Sequence, residues 1–167
     1  MEELLNIYDN DLKIINVLPR SVVHQKKLLH AVIHLWLVDL TNHKIYFQKR
    51  SASKKSYPSY YDIAVAGHIA SHELPIEACL RETKEEIHLN LNPSDLTFLG
   101  AMIEHFENES ELAYVFVANQ TNPSLSLSDE VQEILTIDLE NFLNNIRPEP
   151  FCPHNDELFI QYLKTAI

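Results

Sequence analysis

Glycine, cysteine and basic side chains are all scarce in this chain, and each shortage removes a class of answer. Only 2 of 167 residues are glycine, against about a dozen at average usage, and no Ser/Gly/Pro-rich stretch marks a flexible linker. The 2 cysteines, Cys79 and Cys152, lack metal-ligand spacing, and one lies inside a helical pattern. Reduced thiols are expected, not a disulfide. Basic residues number 13 against 24 acidic ones, a net charge of -11 that repels polyanions, so duplex nucleic acid is not an expected partner. No apolar run is long enough to cross a bilayer, and Met1-Glu2-Glu3 has neither the basic start nor the apolar core of a signal peptide. No membrane association is expected, and the expected location is cytoplasmic.

What the chain does have is the apolar content of a globular protein, 46%, in a length that buries a core without covalent staples. A single domain over residues 1–167 is expected. Alternation with β-branched and aromatic residues predicts strands over 11–18, 30–39 and 44–49, with a turn at 39–43. A polar loop over 51–60 leads to a short apolar run, 63–66, that stops at Gly67. Tyr57, Tyr60 and Tyr61 there either contact a ligand's base or apolar tail or pack as core. Further strands are expected over 96–106, 112–118 and 131–137, the first two flanking an acidic turn at 107–111. Two helices close the chain, one capped by Asp138 and ending at Ile146, the other over 155–166, with Arg147-Pro148-Glu149-Pro150 between them. The order is mixed α/β.

The strongest helical pattern starts at Pro75, which suits a first turn, and ends near His88. Ile76, Leu80, Thr83 and Ile87 recur as its core-facing stripe. Off that stripe, Glu82, Glu85 and Glu86 fall at i, i+3 and i+4 and share a face. Three such carboxylates alone are usually a solvated surface. They are also what a hard divalent cation requires, because magnesium takes oxygen ligands and completes its shell with water and phosphate oxygens.

The surrounding spacing decides between the two. Gly67, five residues, Glu73, seven residues and then Arg81-Glu82-Thr83-Lys84-Glu85-Glu86-Ile87-His88-Leu89 resembles the Nudix box, G-x5-E-x7-R-E-U-x-E-E-x-G-U with U apolar. Thr83 stands where the pattern has an apolar residue, and His88 where it has the glycine that ends the helix. A non-glycine in a left-handed cap costs on the order of 1 kcal/mol, but the acids precede it. The resemblance implies an α/β fold, a Nudix-type α/β/α sandwich with a mixed β-sheet. It also implies a magnesium-dependent hydrolase, with manganese as a substitute, that cleaves a small X-diphosphate metabolite by water attack on phosphorus. Glu82, Glu85 and Glu86 would be the metal ligands, while Arg81 and Glu73 would hold loop and helix together behind Gly67. The general base is left open between the box and an outside glutamate, Glu130 and Glu133 being the local candidates. A homodimer is a further expectation of the resemblance.

Beyond the box, residues 7–118 resemble the branch related to type I isopentenyl-diphosphate isomerase. Leu28-Leu29-His30, Gln48-Lys49-Arg50-Ser51, Lys54-Lys55-Ser56-Tyr57-Pro58 and Ala66-Gly67-His68 carry the likeness. In that isomerase a catalytic cysteine precedes the Gly-His pair. Ala66 stands there in this chain, and a methyl group can neither give nor take the proton that isomerisation moves. Hydrolysis is therefore expected, with an isomerase-like enzyme or a silent diphosphate-binding module as alternatives. The isomerase also binds a metal through histidines and a Glu-x-Glu pair, matched by His24, His30, His68, Glu109 and Glu111, with His24 one residue off the family spacing. Mixed imidazole and carboxylate ligands suit zinc or manganese. The other reading is a packed strand face of His30, His34 and Trp36 beside a solvated acidic turn.

Overall fold

The structure is a computed structural model and describes residues 1–167. Its elements in the first half are β1 (Leu4–Tyr8), β2 (Ile14–Pro19), α1 (Arg20–Gln25), β3 (His30–Asp39), β4 (Lys44–Arg50), β5 (Tyr61–Ile63) and β6 (Val65–His68). Then come α2 (Pro75–Ile87), β7 (Leu96–His105), β8 (Ser110–Asn119), β9 (Val131–Asp138), α3 (Leu139–Leu143) and α4 (Glu157–Ala166).

All ten residues of β3 are buried, which explains its nearly unbroken apolar sequence: it is the centre of a sheet covered on both faces. β3 runs parallel to β8 over its length. Along its other edge it meets β1 at His30, β6 over Val32–Leu35 and β4 over Leu37–Asp39, all antiparallel. β7 extends the sheet beyond β8, β5 and β9 pair with β4, and β2 pairs with β1. The period-2 pattern sorts β3 between two cores. Ala31, Ile33, Leu35 and Leu37 pack with Ala78, Cys79 and Ile87 around α2. Trp36 and Val38 face Phe142 of α3 and Phe159 and Leu163 of α4, with Trp36 stacked on Phe159 at 4.4 Å between ring centroids. A mixed sheet between helices is the α/β sandwich that the resemblance implied.

Several boundaries differ from the sequence expectations, for local reasons. The strand expected from residue 11 begins at Ile14, because the Asp9 carboxylate accepts the N–H groups of Asp11 and Lys13, both at 2.9 Å, and ties 9–13 into a turn. β1 and α1 had no predicted counterpart; the six residues of α1 are too few to display a helical period. The run over 63–66 is divided at Ala64 into β5 and β6, and Gly67 lies within β6 and does not end it. α3 stops at Leu143 without a side-chain cap from Asp138, whose carboxylate instead pairs with Lys44 Nζ at 2.6 Å. α2 ends as its sequence predicts, with His88 in the left-handed region at φ 53. Thr83, buried in the stripe, donates its hydroxyl to the Cys79 carbonyl at 2.6 Å, so its polar atom is satisfied within the helix. No helix is long and apolar enough to cross a membrane.

Candidate active site

A cleft of about 320 Å³ opens beside β6 and α2, lined by Arg81, Glu82, Glu85 and Glu86 of α2 and, among others, by His34 and His154. Arg81 organises the wall. Its Nε and Nη2 donate to the two oxygens of Glu73 at 2.7 and 2.8 Å, a bidentate pair between helix and loop. Its Nη1 donates to Glu82 at 2.7 Å and to Glu85 at 3.2 Å, and Nη2 also reaches the His68 carbonyl at 3.1 Å. The orienting role anticipated for Arg81 and Glu73 therefore has a geometric basis.

Gly67 is small because Glu82 lies against it. A Cβ at residue 67 would stand 2.3 Å from Glu82 Cδ and 2.6 Å from Oε1, so close approach of a carboxylate, and not a turn, requires the glycine. Burial pushes the Glu82 carboxyl up to about 7 despite the opposing pull of Arg81. Glu86 is more deeply enclosed, and burial with Glu82 nearby raises it to about 8 even though Gln48 Nε2 donates to it at 2.7 Å. Glu85 is the exposed member, with 56% of its side chain accessible.

The oxygen donors fit magnesium by chemistry: buried carboxylates facing a cleft favour a hard dication that replaces their lost hydration. They do not converge on one point, however. The two sets of ligand-type side chains whose atoms lie within 4.8 Å of one another are His24, His30 and His68, and separately His34, Glu104 and His154. Arg81 lies between Glu82 and Glu85 and holds both.

The first histidine set unites residues of α1, β3 and β6. His24 and His68 share an Nε2···Nε2 hydrogen bond at 3.0 Å, so α1 supplies the position that looked one residue out of step. His30 Nδ1 donates to the Leu28 carbonyl at 2.8 Å, leaving a buried Nε2 without a partner. Burial holds both His30 and His68 below the usual imidazole range, well below for His68, which keeps them in the neutral form that binds metals. Glu109 stands 3.6 Å from His24 Nδ1. Glu111 points instead toward His34 Nε2, at 3.9 Å. Burial and the neighbouring Glu109 carboxylate push the Glu111 carboxyl well above the ordinary range, while Glu109, despite its own burial, is held below it by His24.

Of the candidate bases, Glu130 lines the cleft in an ion pair with Lys54, whereas Glu133 accepts from Tyr61 Oη at 3.2 Å and does not line it. Tyr57 lines the cleft with Tyr60 packed against it, while Tyr61 belongs to β5 beneath Lys49. His34, Asp62, Glu104 and His154 went unread as site residues. The i+4 spacing of His30 and His34 was the available signal for one of them. His154 reaches the cleft on the segment between α3 and α4, which has no period. Asp62 is held down to about 2: burial opposes ionisation, but His154 and Arg50 outweigh it.

Strand, glycine, loop and glutamate helix in this arrangement define a diphosphate-acting hydrolase site of the Nudix class. The NUDIX domain family matches residues 28–160, and the chain belongs to that family. It is 33% identical to an uncharacterized Nudix hydrolase of Clostridium acetobutylicum over 156 residues, 86% of this chain and 75% of that one. It is 27% identical to the isopentenyl-diphosphate Delta-isomerase of Escherichia coli over 129 residues, 75% of this chain and 70% of the relative. In fold it is similar to the crystal structure of DR0079 from Deinococcus radiodurans, with a TM-score of 0.68 at 18% identity, covering 96% of this chain and 98% of that one.

Proposed function

We propose that the chain hydrolyses a diphosphate bond in a small, polar X-diphosphate metabolite in the cytoplasm, using magnesium and accepting manganese. The observation that carries this reading is the buried pair Glu82 and Glu86, two desolvated carboxylates on a cleft wall beside exposed Glu85. Glu82, Glu85 and Glu86 would hold magnesium together with water and the substrate's own oxygens, and the ion would neutralise the diphosphate and ease deprotonation of the attacking water. The protein's own residues provide the orientation: Arg81 fixes Glu82 against Gly67, and Gln48 fixes Glu86 from below. Arg50 and Lys54 on the cleft wall pair with phosphate oxygens. Glu130 beside Lys54 is the favoured outside base.

The lining supports a polar organic half. Its apolar surface comes from Val32, Tyr57, Ala66, Phe106, Cys152 and Pro153, too little to enclose an isoprenoid tail. Ala66 itself lines the cleft, where a methyl moves no proton, so hydrolysis is favoured over isomerisation. A second ion, of the zinc or manganese type, is proposed at His24, His30 and His68 with Glu109 beside them, on the strength of the partnerless His30 Nε2.

The test is incubation with magnesium and a panel of nucleoside, sugar and isoprenoid diphosphates, following both phosphate release and isomer formation. A Glu85→Gln, Glu86→Gln variant is the control. Phosphate or nucleotide release from polar substrates, lost in the variant, is expected. An isomerised isoprenoid diphosphate, or no turnover with metal still bound, contradicts the reading.

A further inference from the structure

Three buried side chains that the proposed hydrolysis does not use meet beside the cleft. His34 comes from the middle of β3, Glu104 from β7, and His154 from the segment between α3 and α4. One ligand atom from each lies within 4.8 Å of the others. Their side chains are 3%, 5% and 8% exposed. Buried polar groups are normally hydrogen-bonded, yet Glu104 Oε2 and His154 Nδ1 have no hydrogen-bond partner, with His34 Nδ1 standing 3.8 Å from Glu104 Oε2. The remaining atoms of the same two side chains are firmly held: Glu104 Oε1 accepts the Asn155 N–H at 2.8 Å, and His154 Nε2 meets the Asp62 carboxylate. A neutral ring that donates Nε2–H to Asp62 carries its lone pair on Nδ1; Asp62 also favours the charged ring, so a metal binds here by displacing the Nδ1 proton. This carboxylate–imidazole arrangement orients histidine ligands in metal centres.

The geometry points to a binding site for a divalent transition-metal ion held by His34, Glu104 and His154, with Asp62 fixing the tautomer of His154. Two imidazoles and one carboxylate suit zinc, manganese or iron better than magnesium, and three protein ligands leave a coordination position open. His34 and His154 line the cleft while Glu104 does not, so the open position faces the substrate space. The site shares no residue with the His24, His30 and His68 cluster and needs no diphosphate turnover. The competing account is a closed ion network, with a charged His154 between Asp62 and Glu104, and it leaves no place for a metal.

Zinc binding separates the two accounts. Protein stripped by chelator and carrying His24→Ala and His68→Ala, which removes the other histidine cluster, is dialysed against zinc in excess magnesium so that the glutamates are occupied. Elemental analysis of this protein is expected to find a single equivalent of zinc. Glu104→Gln or His154→Ala on that background should abolish it, and Asp62→Asn, which keeps all three ligands, should weaken it by roughly 10–100-fold. Circular dichroism establishes that each variant is folded, and Asp62→Asn is the reading to use if a ligand variant unfolds. No zinc in the parent, or zinc retained unchanged by the folded variants, would overturn the site whether or not the chain hydrolyses diphosphates.

Discussion

Glu86 would be charged when holding the proposed cation, in a position that disfavours its charge without one. With a folded value near 8 against an ordinary 4.5, the metal-free folded protein keeps a proton that the unfolded chain releases between those limits. Its contribution to stability is complete below about 4.5 and is lost as the pH rises through 8, with Glu82 following the same course to about 7. Chelated wild type should therefore lose denaturant stability between pH 5 and pH 8, Glu86→Gln should lose less, and magnesium should restore more at pH 8 than at pH 6. Parallel curves for the two proteins would contradict this. Gly67→Ala tests the same site sterically. The Cβ meets the flexible end of Glu82, so the side chain moves and the fold survives, with a stability change of about 1 kcal/mol. Turnover should fall sharply in a steady-state assay. At this scale the gathering of the box acids, Gly67 and Arg81 at one cleft was legible from motif spacing. Asp62, Glu104 and His154 were not, since each is an ordinary acid or histidine until the fold brings it to the cleft.

α2 is the element in which sequence and geometry agree most fully. Thirteen residues carry the proline start and the end at His88, both readable; the expected stripe holds at Thr83 and Ile87 and, half-buried, at Ile76, but Leu80 stays outside the core, where Ala78 and Cys79 pack instead. The same helix carries Arg81, whose planar fork serves Glu73, Glu82 and Glu85 together. A lysine keeps the charge and loses the fork. Arg81→Lys should lower kcat by roughly 10–100-fold, as for partners that orient metal ligands, with KM and melting temperature changing little. A purely structural arginine would show the opposite, a fall in melting temperature with kcat preserved in the folded fraction. β3 was equally legible in extent, and its histidine face is real: His30 and His34 serve two different clusters. Short elements were the failures. α1 has six residues, too few for a hydrophobic period, yet it delivers His24.

The whole molecule is a sheet with two cores, one packed on the box helix and the other on the last helix. Phe159 stacks on Trp36 with an interplanar angle of 5° and is fully buried. Phe159→Ala should cost about 3–5 kcal/mol in denaturant unfolding while leaving the glutamate wall, on the opposite face of the sheet, in place. Sequence resemblance disclosed the sandwich but not how residues more than a hundred positions apart, such as His34 and His154, meet at one cleft. Such long-range contact has no period to announce it.

Hydrolysis at phosphorus is most directly tested by running the reaction with magnesium in water enriched in oxygen-18 and locating the label by mass spectrometry. The structure predicts label on a released phosphate or phosphomonoester, and none in a reaction with Glu86→Gln. Label on the organic alcohol, or an isomerised substrate with both phosphates intact, would contradict it.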